Sequence, residues 1–251
     1  MSEVAQPAAL AAARVEPAVT PAPALSVSGL HAYLGGSHVL QGVGFEVPAG
    51  GVTAVLGRNG AGKTTTLRAV LGLVNRSGTV RVLGQDVSGW PTHRVVQLGV
   101  GYVPEDRDVF SGLTVRENLR LAEAARDLRY EEVFGLFPEL KARERQIAGT
   151  LSGGQQQMLA IGRVLLNHRP LLLVDEPTKG LAPRYVAEVV GVLERAASAA
   201  TIVLVEQNVH VVQRMARRVV VLDQGQVVHS GEVSLLGDEA LVRRLLGVTA
   251  Q

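Results

Sequence analysis

Five short apolar runs, at 52–56, 100–103, 171–174, 202–205 and 219–222, constrain most strongly what this 251-residue chain can become. Each is four or five residues long and made largely of Val, Ile and Leu, and helical apolar spacing fills much of the sequence between them. That alternation is the pattern of strands buried on both faces of a mostly parallel sheet, so the expected fold class is α/β. With 47% apolar residues the chain can bury one substantial core. The mean hydropathy of +0.20 is high, yet the runs fall far short of the ~18–20 residues that a membrane-crossing helix needs.

The absence of cysteine excludes disulfide frameworks, thiolate zinc sites and cysteine nucleophiles, and fits a reducing compartment. The 25 basic and 23 acidic residues leave a net charge of +2, and the basic ones are scattered, so no nucleic-acid partner is expected. Residues 1–24 are rich in Ala and Pro and read as a disordered tail; Glu3, Arg14, Glu16 and the prolines argue against a secretory signal. Residues 25–251 are expected to form one domain, with an inserted helical lobe at about 105–165. Within the lobe, Thr114 followed by Glu117 predicts a capping box opening a helix through Arg126. Asp238 is expected to cap a last helix over 239–246 that Gly247 stops.

The stretch Gly57-Arg58-Asn59-Gly60-Ala61-Gly62-Lys63-Thr64 matches G-x-x-x-x-G-K-[ST], with Thr65 following, and it lies between an expected strand and an expected helix. Glycines there let backbone N–H groups turn inward around phosphates, and the helix presents its positive N-terminal end. Lys63 is placed to reach the β and γ phosphates and Thr64 to ligate Mg²⁺. Lysine occurs only at 63, 141 and 179, so this one stands out in an arginine-rich chain. The run 171–174 ends in Asp175 and Glu176, a pair of acids suited to holding Mg²⁺ and to orienting or deprotonating an attacking water.

Between these motifs Leu151-Ser152-Gly153-Gly154-Gln155-Gln156-Gln157 opens an apolar-periodic helix reaching about Leu166. With that stretch the chain resembles the ABC ATPases, whose signature sequence it is similar to. The resemblance implies a P-loop NTPase fold with a mostly parallel sheet, an N-terminal antiparallel β part and the helical lobe. It also implies ATP with Mg²⁺, and a head-to-tail dimer in which Ser152, Gly153, Gly154 and Gln155 complete the nucleotide site of the opposite subunit. Tyr33 is similar to the family's adenine-stacking aromatic, and residues 103–115 to the hinge and groove that receive a helix from the membrane partner.

The chain departs from the common family pattern at three places. Glu105 stands where Gln is usual and is expected near Mg²⁺; Gln207 replaces the switch histidine, with His210 three residues on; and Ala182 replaces an aspartate. A Gln can donate a hydrogen bond to a γ-phosphate but cannot shuttle a proton, which raises a slow-turnover clamp as an alternative to a full ATPase. Together these departures resemble the second ATPase of branched-chain amino-acid importers, a similarity running from 25 to 246; the ATPase of urea and short-chain amide importers is a near sibling. The resemblance implies a second, non-identical ATPase, two permease subunits, an external binding protein and a peripheral place on the cytoplasmic face of the cell membrane. ABC ATPases that act on DNA or ribosomes are tandem cassettes or carry coiled-coil or zinc insertions, which this sequence lacks.

Overall fold

Strands buried on both faces need a covering layer on each side, and the chain supplies two. The computed structural model describes residues 22–124, 128–238, 240 and 242–243. In chain order its strands are β1 (Leu25–Leu34), β2 (Ser37–Val47), β3 (Gly51–Gly57), β4 (Asn75–Val82), β5 (Gln85–Asp86), β6 (Val100–Val103), β7 (Leu171–Asp175), β8 (Thr201–Val205), β9 (Arg218–Asp223) and β10 (Gln226–Glu232). The helices are α1 (Lys63–Leu71), α2 (Thr92–Gln97), α3 (Val115–Arg120), α4 (Tyr130–Leu136), α5 (Pro138–Ala142), α6 (Gly153–Leu165), α7 (Pro183–Ala196) and α8 (Val209–Met215).

The central sheet has the order β10-β9-β3-β8-β7-β6, parallel throughout except for β10. All five apolar runs are strands in it. Alternation within them divides the interior: Val52, Ala54, Leu56, Leu172 and Val174 join a core with α6, α7 and α8, whereas Val55, Leu171 and Leu173 join a core with α1 and the second sheet. That second sheet, β2-β1-β4-β5, is antiparallel and forms the N-terminal β part. Gly225 seams it to the loop after β3, donating its N–H to the Ala61 carbonyl at 3.1 Å and accepting from Gln41 N–H at 2.8 Å. Its φ of +77°, and a Val39 carbonyl oxygen 2.0 Å from where a Cβ would sit, leave room for glycine alone.

The helical lobe is built from α3, α4, α5 and the front of α6. Thr114 caps α3 by a reciprocal capping box with Glu117, as the sequence implies. The helix is shorter than the expected 114–126, ending at Arg120, and 125–127 lie outside the described residues. The cause is tertiary: the buried Asn167 donates to the Ala122 carbonyl at 2.8 Å and accepts from Ala124 N–H at 3.1 Å, taking the backbone groups a longer helix would use. The expected tail falls almost wholly outside the described residues, as does most of the last helix; Ala240 N–H does bond to the Asp238 carboxylate at 2.9 Å, as a cap there requires. Among the described residues no helix is long and apolar enough to cross a membrane.

Thr114→Ala is expected to lower unfolding free energy by about 0.5–2 kcal/mol in urea titrations, while Thr114→Ser, which keeps the acceptor oxygen, stays near wild type.

Candidate active site

Parallel strands bring their C-terminal ends to one edge of the sheet, and the candidate residues gather there. β3 runs directly into Gly57 and the glycine loop. Arg58, Asn59 and Gly60 are exposed, Ala61 and Gly62 are buried, and α1 starts at Lys63. Gly62 takes the N-cap position with φ +102°, and a Cβ there would come within 2.6 Å of the Leu40 side chain. Among the described residues no side chain caps α1, which leaves its first N–H groups available to a ligand at the loop. Lys63 is buried and curls over the loop, donating to the Gly57 and Arg58 carbonyls at 3.0 and 3.2 Å. Thr65 is buried in the first turn of α1.

The acids stand opposite. Asp175 ends β7 with no exposed surface, and its Oδ1 accepts from the Thr64 hydroxyl at 3.1 Å. Burial pushes its carboxyl up to about 6; the Thr64 hydrogen bond works against this, and the charges of Glu105 and Glu176 add to it. Tyr102 donates to Asp175 Oδ2 at 3.4 Å, and burial together with that charge raises its phenol to about 12. Glu176 follows at a left-handed φ of +45°, which directs its side chain back into the site. Its Oε1 accepts from the Gln207 amide at 2.5 Å and lies 3.5 Å from the Lys63 ammonium; the pair is 5% and 7% exposed. Gln207 also donates to Asn59 Oδ1 at 2.7 Å, closing a ring from the glycine loop through β8 to the acids.

Lys63, Thr64, Asn59, Asp175, Glu176 and Gln207 are therefore brought together. Glu105 reaches the same edge from the end of β6, where its carboxylate is taken by Lys179. Ser152, Gly153, Gly154 and Gln155 lie elsewhere, at the start of α6, and among the described residues they make no hydrogen bond to the glycine loop. Ser152 and Gln155 cap the helix reciprocally, Gln155 also donates to Glu139 at 2.8 Å, and Ser152 meets the Tyr185 hydroxyl at 3.3 Å. Gly154 packs on the Tyr185 ring so closely that a Cβ would come within 2.3 Å of it. Tyr33 sits on the β1–β2 hairpin, 43% exposed, with one ring face stacked on His38 at 4.5 Å.

Three residues were given no role from the sequence. Tyr102, between Gly101 and Val103, and Tyr185, between Arg184 and Val186, gave no signal, each being a lone aromatic. Glu206 is buried at the end of β8, accepting from the N–H groups of Thr178 at 3.2 Å, Gln207 at 2.9 Å and Asn208 at 3.0 Å, and from the Thr178 hydroxyl. An isolated acid beside a strand looks like any surface residue until its partners are known.

The donor set fits Mg²⁺ and a phosphate chain. The Thr64 hydroxyl and the Asp175 carboxylate are hard oxygens at hydrogen-bond distance, and Mg²⁺ commonly takes one or two such protein ligands beside phosphate and water oxygens. The Lys63 ammonium, held among the described residues by two carbonyls and Glu176, has anionic phosphate as a better partner.

Burial of Asp175 should cost the protein stability in the absence of nucleotide. Its folded pKa lies above the ordinary 3.8, so the penalty is absent below that range and grows as pH rises through about 6. Asp175→Asn is then expected to stabilise the nucleotide-free protein by about 1–3 kcal/mol near pH 7, a gain that shrinks as the pH falls to about 4. Urea titrations of both proteins across that range check it.

Comparison with known proteins agrees with this geometry. The family model for the ABC transporter matches residues 40–179. The chain is 38% identical over 231 residues to the high-affinity branched-chain amino acid transport ATP-binding protein BraG of Pseudomonas aeruginosa, covering 89% of this chain and 99% of that protein. Against BraF of the same organism, another protein of that description, it is 29% identical over 251 residues, covering 90% and 98%. Among solved structures, the ADP conformation of the ATP-binding cassette MJ1267 superposes with a TM-score of 0.74 at 24% identity over 89% of this chain and 97% of that one, a likeness of fold. The chain belongs to the ABC transporter family, as one of its ATP-binding, ATP-hydrolysing P-loop proteins.

Proposed function

We propose that this chain is an ATPase subunit of an importer for branched-chain amino acids, working at the cytoplasmic face of the cell membrane beside a second, non-identical ATPase and two permease subunits, with an external binding protein selecting the substrate. The convergence of Lys63, Thr64, Asp175, Glu176 and Gln207 at one sheet edge is the observation that carries the chemistry. Near end-to-end similarity to BraG, higher than to BraF, supports the substrate class and the place as one of two unlike ATPases.

In this reading the phosphates of ATP lie along the N–H groups of the glycine loop, and Lys63 leaves Glu176 and the loop carbonyls for the β and γ oxygens. Thr64 and Asp175 hold Mg²⁺, which when bound neutralises phosphate charge. Glu176, aimed by its left-handed backbone and by Gln207, orients and deprotonates the attacking water, and the γ-phosphoryl group passes to that water directly. Tyr33 stacks on the adenine with the ring face that His38 leaves uncovered. The start of α6 serves the nucleotide of the opposite subunit, Tyr185 holding Ser152 and Gly154 in place beneath it. Glu105, paired with Lys179, lies close enough to Asp175 for its charge to be felt, a position in which it would add negative charge near bound Mg²⁺.

The alternative, a slow nucleotide clamp beside a more active partner, draws on Gln207, whose amide carries no titrating proton. Separate inactivation of Glu176 and of its counterpart in the partner distinguishes the two, since a clamp tolerates the first. Affinity purification from native membranes with mass spectrometry tests the assembly: two permeases and a second ATPase are expected, and recovery of the chain alone or with ribosomes would overturn the importer. Lys63→Ala should weaken nucleotide handling by roughly 10- to 1000-fold. Glu176→Gln should lower turnover by about 10²- to 10⁴-fold while sparing ATP affinity. Equilibrium binding of labelled ATP and steady-state phosphate release measure both.

A further inference from the structure

Lys179 is used by none of the steps above, yet it is the cation nearest the outer side of the acid cluster. Its ammonium is bound by the Glu105 carboxylate and lies 3.5 Å from Glu176 Oε2, while Gln207 and Lys63 hold Oε1 of the same carboxylate. Glu176 is thus gripped from both ends, by two lysines and an amide.

The position of Lys179 is imposed by the backbone. Its N–H bonds to the Glu176 carbonyl at 3.2 Å, closing a tight turn, and Gly180 follows at φ +68°. Buried Glu206 anchors the same turn through Thr178 and, with its other oxygen, the segment carrying Gln207. One buried carboxylate therefore sets the relative placement of the two groups that hold Glu176. Lys179 itself is 56% exposed, so its removal leaves the interior intact.

We propose that Lys179 is a positioning residue for ATP hydrolysis: it holds Glu176 Oε2 and ties that carboxylate to Glu105 at the entry to the helical lobe, so that Glu176 stays aimed when Lys63 turns to the phosphates. This rests on the assignment of Glu176 as the group that activates water. An exposed ion pair contributes little to stability, so the role shows in turnover. Once Lys63 has left Oε1, Lys179 is the one cation still on the Glu176 carboxylate among the described residues, and a misaimed general base slows the chemical step without weakening the grip on nucleotide.

The test follows Mg-ATP hydrolysis by the full-length chain assembled with its partner ATPase, whose counterpart of Glu176 is changed to Gln, with ATP affinity and thermal midpoint measured on the same preparations. Lys179→Met is expected to lower kcat about 10-fold with KM and ATP affinity within about 2-fold of wild type, and Lys179→Arg to recover most of the loss. Wild-type kcat in Lys179→Met overturns the inference, as does a parallel fall in kcat, ATP affinity and thermal midpoint that Arg does not rescue. Glu176→Gln, run alongside, separates the two levels. If it is inactive while Lys179→Met is unimpaired, only the role of Lys179 falls; if it hydrolyses ATP normally, the assignment of Glu176 falls and this inference with it.

Discussion

A carboxylate with no exposed surface at the end of a parallel strand is an expensive thing to build, and the surroundings of Asp175 are arranged around that cost. Burial and two neighbouring acids push its pKa upward, and among the described residues the side chains that donate to it are the hydroxyls of Thr64 and Tyr102. Glu176 adds a second charge at a left-handed backbone angle that costs about 1–2 kcal/mol for a residue with a Cβ. Such concentration of negative charge persists because the rest of the fold holds counterweights against it: Lys63 from the glycine loop, Gln207 from the end of β8 and Lys179 from the turn beyond β7. Of these counterweights Lys63 has a better partner in anionic phosphate, whereas Gln207 and Lys179 hold Glu176 itself.

The scaffold that makes this possible is held at its seams by buried polar side chains. Glu206 locks the turn after Glu176 to the segment carrying Gln207. Asn118 binds both backbone groups of Phe110, fixing the loop between β6 and the helical lobe, and Asn167 fastens the end of α3 to the end of α6. Gly225 brings the antiparallel sheet against the glycine loop through backbone bonds that no side chain could replace. The apolar cores supply the bulk of the driving force, and these few hydrogen-bonded residues determine where the edge carrying the candidate site lies relative to the lobe.

Much of this was legible beforehand. All five apolar runs are strands, because side chains buried on both faces of a sheet leave an unbroken hydrophobic signature. The glycine loop between β3 and α1, the capping box at Thr114 and the opening of α6 after Ser152 follow rules that span three or four residues, so a local pattern was enough. The extent of α3 was not, since Asn167 ends it from more than forty positions away.

The sequence by itself determined the sheet's strands, the phosphate loop and the identity of the acids, since these depend on burial periodicity and on chemistry carried by adjacent residues. Tertiary structure decided which groups face one another: that Gln207 reaches both Asn59 and Glu176, that Glu206 is a buried clamp, that Lys179 bridges two carboxylates, and that Gly154 is required by Tyr185. Most of those pairings join positions tens of residues apart: the parallel stacking of β6, β7, β8 and β3, which carries their C-terminal ends to the same edge, brings the groups around Glu176 within reach, and the packing of α7 against α6 brings Tyr185 onto Gly154.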